Sequence, residues 1–189
     1  MSVNNLTLDV GQANNLKLAF GRNGWNNAEI NMLSEGNVLS EVLQVIKGMA
    51  EIKIIKHEIN CDADPMIPDD WSIEEHNRQG LLNFSLDKVS LYRPKKQHKG
   101  LINGYNLRQE LIGKNAMNAN VLDYLLVHPE LIPDAWKNFH IFFWGTIYRH
   151  SPDNISVRYL CWRGRKWRWF FGWPGRGFDF NHPAIIKTS

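Results

Sequence analysis

The sequence predicts an α+β fold, with N-terminal helices and strands followed by a C-terminal, tryptophan-rich antiparallel β-meander. Three observations predict it. Apolar residues recur at helical spacing in 39–46 and again in 121–126. Runs of β-branched and aromatic residues near period two occupy 50–59, 83–94 and most of 139–171. The last third carries strand-type runs and turn residues with no helical pattern between them, so strands and helices are segregated rather than alternating.

Along the chain, "LTLDV" (6–10) and "LKLAF" (16–20) read as short strands. In 26–50, Leu39, Val42, Leu43 and Ile46 mark an amphipathic helix that stops near Gly48. "AEIKIIKHEI" (50–59) switches to a strand, which Pro65, Pro68 and the pair Asp69–Asp70 bring to an end. "NFSLDKVSLYRP" (83–94) reads as one further strand, and Pro94 with "KKQHKG" as a basic connection. Two helices follow: "NLRQELIG", capped by Asn106 and stopped by Gly113, and "NANVLDYLLVHP", with Val121, Leu122, Leu125 and Leu126 on one face and Pro129 as its stop. "ELIPDAWKN" is a loop. "FHIFFWGTIYR" (139–149) is an almost unbroken apolar run, as a central strand buried on both faces requires. "HSPDN" turns the chain, and "ISVRYLCWR" pairs with "KWRWFFGW" across Gly164–Arg165, where glycine at the first turn position suits a type II′ hairpin.

The 189 residues suit one compact domain, 1–189, with candidate sub-lobes at 1–138 (mixed helices and strands) and 139–189 (the basic aromatic meander). A content of 43% hydrophobic and 22% charged residues argues against disorder throughout. No apolar run approaches the roughly 18 residues that span a bilayer, and "MSVNNLTLDVGQANN" lacks the cationic start and apolar stretch of a secretion signal. Cys61 and Cys161 form no C-x-x-C pair and read as free thiols. A cytoplasmic protein with no membrane partner is the expectation.

Charge is unevenly spread. From residue 149 onward eight basic side chains face two acidic ones, a net +6, whereas 1–148 carry −3 within the overall +3. Such asymmetry points to an anionic partner for the C-terminal part. If the hairpin closes at Gly164–Arg165, Trp162 faces Trp167 and Leu160 faces Trp169, with Arg158 and Phe171 extending that side. The opposite side carries Tyr159, Cys161 and Arg163 against Phe170, Arg168 and Lys166. A cationic, aromatic surface of this kind binds single-stranded nucleic acid by stacking bases and neutralising phosphates. It is equally the solvated back of an aromatic hairpin, with Arg side chains lying over rings. The candidate polyanion-binding residues are Arg158, Arg163, Arg165, Lys166 and Arg168, with Tyr159 and Phe170 for stacking; Trp162, Trp167 and Trp169 belong to the core. Arg176, among Gly172, Gly175 and Gly177, joins them as a residue able to cradle a phosphate, although a flexible connector explains the glycines as well.

The stretch 56–76 concentrates metal-ligand types. Asp62 and Asp64 suit a hard divalent ion; His57, Cys61 and His76 suit a softer one. The spacing matches no C-x₂-C, H-E-x-x-H or calcium-loop pattern, and an acidic surface loop accounts for it too. His128 near Pro129 reads as a helix C-terminal pair, and Lys95, Lys96, His98 and Lys99 as a solvated basic loop.

The segments "AFGRNGW" (19–25), "KHEINCDADPMIP" (56–68), "ANVLDYLLVHPELIPDAWK" (119–137), "FFWGTIYR" (142–149) and "VRYLCWRGRKWRW" (157–169) resemble those of a family of uncharacterised small bacterial proteins from environmental and candidate-phylum genomes. The resemblance implies a compact unit in a bacterial, cytoplasmic setting; it brings no activity, cofactor or site with it. The expected function is therefore a non-enzymatic binding module that contacts nucleic acid or another polyanion through the hairpin and needs no cofactor. The alternatives are a metal-dependent enzyme built on 57–76, and an assembly subunit that uses "FFWGTIYR" or the aromatic ribbon as an interface.

Overall fold

The computed structural model describes residues 7–152 and 154–188, which fall into two units, Met1–Ile55 and Lys56–Ser189. The first unit is helical. Helix α1 (Val10–Arg22) opens on Asp9, whose carboxylate accepts the Gln12 N–H at 2.7 Å while the Gln12 side chain returns to the Asp9 N–H. Helix α2 (Asn27–Leu33) has the same reciprocal cap between Asn26 and Glu29, and α3 (Val38–Ile46) follows after Gly36, which holds φ +56°. The expected strand at 16–20 is thus helix: the capping box fixes helical start geometry and overrides a weak alternation. Of "LTLDV", Leu6 lies outside the described residues and Val10 begins α1. The helix expected from Leu39, Val42, Leu43 and Ile46 is α3, ending before Gly48 at φ +70°. None of the three helices contains a buried residue.

The second unit begins with β1 (His57–Asn60), paired antiparallel with β3 (Leu81–Phe84). The strand expected over 50–59 is confined to its last residues, and Ile52, Ile54 and Ile55 are exposed. The single strand expected over 83–94 is two, β3 and β4 (Val89–Tyr92), separated by a 3-10 turn at Leu86–Lys88 and placed in different sheets. The basic connection is a short helix, α4 (Lys95–Lys99), pinned by buried Gln97, whose amide donates to the carbonyls of Asp179 and His182. Helix α5 (Gly104–Glu110) is capped three residues before the expected position, by Asn103, whose side chain accepts the Tyr105 N–H. Helix α6 (Ala119–Val127) is capped by Asn118 and buries Val121, Leu122 and Leu125 as its spacing requires.

The main sheet contains β2 (Ser72–His76), β4, β6 (Ile141–Ser151), β7 (Asn154–Arg163), β8 (Lys166–Gly172) and β10 (Ala184–Lys187) in the order β4-β10-β6-β7-β8, with β2 also pairing β6. The expected meander is β6-β7-β8, antiparallel throughout. As its composition requires, β6 is buried continuously from Ile141 to Tyr148. Ile141 and Phe143 enter one cluster with Met117, Leu122, Leu160 and Ile185; Phe142, Trp144 and Ile147 enter another with Leu107, Val157, Phe178 and Ala184. Residues from both sides of position 138 therefore share each core, and the boundary between compact units falls at residue 55. The glycine-rich arm is ordered: β9 (Gly177–Phe178) pairs β5 (Ile102–Asn103), and β10 returns parallel to β6. Gly145 lets β6 approach the backbone that leads into α6. Its N–H donates to Met117 O at 2.9 Å, and a Cβ there would lie 2.4 Å from Ala116 O.

Candidate functional site

The β7–β8 hairpin has the register that two-residue closure demands: Arg163↔Lys166, Trp162↔Trp167, Cys161↔Arg168, Leu160↔Trp169, Tyr159↔Phe170 and Arg158↔Phe171. The turn differs from expectation. Gly164 has φ +63° and Arg165 has φ +61°, and positive φ at both central residues is the type I′ arrangement. Its twist matches that of the flanking strands, which offsets the cost of a left-handed arginine, of order 1 kcal/mol.

Arg163, Arg165, Lys166 and Arg168 are exposed and belong to no ion pair among the described residues. Arg163 lies over the Phe170 ring at 5.7 Å. Beneath the cations, burial raises the Cys161 thiol pKa, while Arg163 and Arg168 oppose that shift.

Two arginines expected in the ligand set are committed elsewhere. Arg158 is 1% exposed, paired with Asp123 through both Nη atoms and stacked 4.3 Å from the Trp169 ring. Burial alone would lower its pKa; the Asp123 hydrogen bond and charge outweigh burial, and the net shift is upward. Arg176 lies within 6 Å of three ring centroids, Phe142, Tyr159 and Phe178, with Nε and one Nη buried. It is a packed element of an aromatic cluster, and the segment around it is not a flexible connector.

Tyr159 is half-buried against His140, Phe142 and Phe170, and burial raises its pKa. Phe170 remains partly accessible. Of the tryptophans, Trp167 and Trp169 pack on the core, whereas Trp162 pairs edge-on with Trp167 at 5.4 Å under Lys137. The strand pattern places Phe171 on the core side and says nothing of Trp173. Both are about half exposed (51% and 50%), and Phe171 meets Trp71, which stacks on His150 at 4.8 Å. Only the long-range packing against the segment that enters β2 reveals this aromatic patch.

The residues of 56–76 do not converge on an ion. Among the described residues, no group of three or more His, Cys, Asp or Glu side chains is placed to hold a metal. His57 Nδ1 is 3.0 Å from the Tyr124 hydroxyl. His76 donates from Nε2 to Cys61 O, since a carbonyl only accepts, and its Nδ1 meets the Thr146 hydroxyl at 2.8 Å, so both ring nitrogens are used. Asp62 accepts the Gly80 N–H, and Asp64 pairs with Arg78. The Cys61 thiol is fully buried and its pKa is pushed up to about 11 by burial, reinforced by Asp62 and opposed by Lys187. A thiol in that state is a poor nucleophile at neutral pH. Buried Asn118 ties the segment together by donating to Cys61 O and Asn77 O. The five side chains thus serve separate contacts: His57 reaches α6, His76 joins β2 to β6 and to the Cys61 carbonyl, and Asp62 and Asp64 hold the 78–80 segment.

"FFWGTIYR" is interior, not an interface; the exposed apolar side chains lie in α3. No helix among the described residues is long and apolar enough to cross a membrane. Comparison with protein families, curated proteins and solved structures finds no match to this chain.

Proposed function

We propose that the protein is a non-enzymatic module that binds single-stranded nucleic acid along the outer strand and tip of the β7–β8 hairpin. One observation carries the reading: Arg163, Arg165, Lys166 and Arg168 stand exposed on and beside a two-residue turn, with no counter-charge among the described residues. Cations without ion-pair partners leave phosphates free to bind them, and the release of the phosphates' counterions drives association. Phe170, on the same face of β8 as Lys166 and Arg168, and Trp173, just beyond β8, offer rings to unstacked bases. Arg158, Tyr159 and Arg176 support this surface from beneath. Two free, buried thiols fit a reducing, cytoplasmic setting, and the bacterial assignment rests on the family resemblance alone.

The test is anisotropy of labelled oligo-dT and oligo-U from about 50 to about 200 mM salt, wild type beside a variant with all four tip cations changed to Ser. Log affinity should fall linearly with log salt, and the slope should flatten by about 0.7 for each phosphate that the variant no longer neutralises. Equal competition by heparin would broaden the ligand to polyanions in general. Absence of binding at the lowest salt would overturn the proposal.

A second reading, assembly, is favoured by α3. Val38, Leu39, Val42, Leu43 and Ile46 are all exposed on a helix with no buried residue. Contiguous apolar surface of this kind marks a protein interaction site. Light scattering on wild type and on Val42→Ser/Ile46→Ser decides it: a concentration-dependent mass that the variant abolishes supports assembly, and a monomer at every concentration rejects it.

A further inference from the structure

We propose a second binding site, independent of the hairpin: a cleft that takes a small zwitterion of amino-acid type. The cleft has a volume of about 610 Å³ and is walled by β2 and the segment after it, the end of α5, the turn leading to α6, and Trp144 from β6. Three chain segments distant in sequence, 75–79, 108–116 and Trp144, build it, and the groups they bring are incompletely satisfied.

Trp144 is the first of these. It is 3% exposed, and its indole N–H is buried with no hydrogen-bond partner among the described residues. A buried donor left unpaired costs about 1–3 kcal/mol, and the native fold retains few of them. An indole N–H can only donate, so what is missing is an acceptor.

The second feature is the pair Glu75–Arg108. Arg108 uses one Nη on Glu75 Oε2, and both side chains are about a third to two-fifths exposed. The other donors of Arg108 and the second oxygen of Glu75 have no hydrogen-bond partner among the described residues. The site therefore offers guanidinium donors for an oxyanion beside a carboxylate oxygen for a cation, with the buried Trp144 indole in its wall.

The surrounding backbone is held in an unusual shape. Asn115, on the cleft wall, has φ +50°, a left-handed conformation that costs a non-glycine residue of order 1 kcal/mol. The Asn115 and Gln109 side-chain amides line the cleft and make no hydrogen bond among the described residues. Leu111 and Ile112 add apolar wall suited to a side chain. A ligand carrying carboxylate and ammonium on one carbon meets both ends of this charge arrangement; a neutral sugar or a simple anion meets only part of it.

The experiment is calorimetric titration of the full chain with the proteinogenic amino acids one at a time and with glycylglycine, using acetate, methylammonium and glucose as controls. At least one zwitterion should bind, and each control at least tenfold more weakly. Arg108→Gln should weaken that binding about tenfold or more, as expected for loss of a charged hydrogen bond. Trp144→Phe should weaken it as well, but trimming this buried ring leaves a void and lowers the melting temperature too. Arg108→Gln, at a partly exposed pair, should leave the melting temperature nearly unchanged, and that separates a ligand role from a packing role. The proposal fails if no zwitterion binds, if glucose or acetate binds as well as the best zwitterion, or if both variants bind like wild type. None of these outcomes depends on the nucleic-acid reading, whose test leaves this cleft untouched.

Discussion

Arg158 and Asp123 form a bidentate ion pair, Nη1 to Oδ2 at 3.0 Å and Nη2 to Oδ1 at 2.5 Å, that joins the middle of β7 to α6. The guanidinium is 1% exposed and the carboxylate about a third exposed, so the pair is sheltered on one side only. Asp123→Ala would leave a buried cation without its counter-charge and should cost about 3 kcal/mol, the low end of the range for breaking a buried pair. Urea unfolding measures it. A loss under about 1 kcal/mol, the level of a surface pair, would show the pair to be incidental.

Gly145→Ala should be among the most damaging single-methyl additions in the second unit. The new Cβ would lie 2.4 Å from Ala116 O and 2.8 Å from Asn118 N, both backbone atoms that cannot rotate away. Forcing β6 and the 116–118 segment apart would also strain the Gly145–Met117 hydrogen bond. An overpacking cost of about 3 kcal/mol is expected, read as a lowered urea midpoint. Unchanged stability would mean that the strand and segment do not touch.

Arg165→Gly should stabilise the protein by up to about 1 kcal/mol, because glycine adopts the φ of +61° found there without steric cost. The same change should weaken oligonucleotide binding and flatten its salt slope. A thermal melt and an anisotropy titration on one preparation check both. If stability rises and binding is untouched, Arg165 lies outside the nucleic-acid surface.

Acid should destabilise the fold before its carboxylates titrate. Burial lowers the pKa of His140, assisted by His182 and Arg176, and burial lowers that of His182 despite Asp179 at 2.6 Å. Their folded values lie below the ordinary 6.5, so below that pH the unfolded chain binds more protons than the folded one. Stability is then full above about pH 6.5 and falls as the pH drops further. Glu74, Glu130 and Asp179 have lowered values and lose their contributions only at more acid pH. Melting temperatures between about pH 8 and about pH 5 should show the decline, and His140→Gln should reduce its slope.

Neither cysteine should react in the native state. Cys61 is fully buried with a pKa of about 11, and Cys161 is buried with a raised value. Thiol reagents near pH 8 should label both only after denaturation. For Cys61 the folded pKa exceeds the ordinary 9.0, so its contribution to stability is present below pH 9 and lost as the pH rises towards about 11. Rapid labelling of the folded protein would contradict the burial of these side chains.

Local rules are enough for several elements. The hairpin register is legible because two-residue closure and a period of two leave a single pairing of tryptophan with tryptophan. The double burial of β6 and the apolar face of α6 follow from composition and spacing in the same way. Helix α1 escapes the periodicity reading although its reciprocal Asp9–Gln12 cap is written in the sequence, and α5 is capped by Asn103, three residues earlier than spacing suggests. In the 56–76 stretch the residue types point to a metal, but hydrogen bonds with Tyr124, Thr146 and Asn118 decide their roles.

By itself the sequence determined what neighbouring residues decide together: the mixed class, the meander, the hairpin register and the uneven charge. The tertiary structure alone decided which cations remain free and where a cavity lies. Arg158 is withdrawn by an aspartate 35 residues away, and Arg176 by rings from β6, β7 and β9. The cleft around Trp144 exists only where three separate segments meet. The reason is physical: secondary structure answers to spacing within a few residues, whereas the charge, burial and unmet hydrogen bonds of a side chain answer to whatever the fold brings against it.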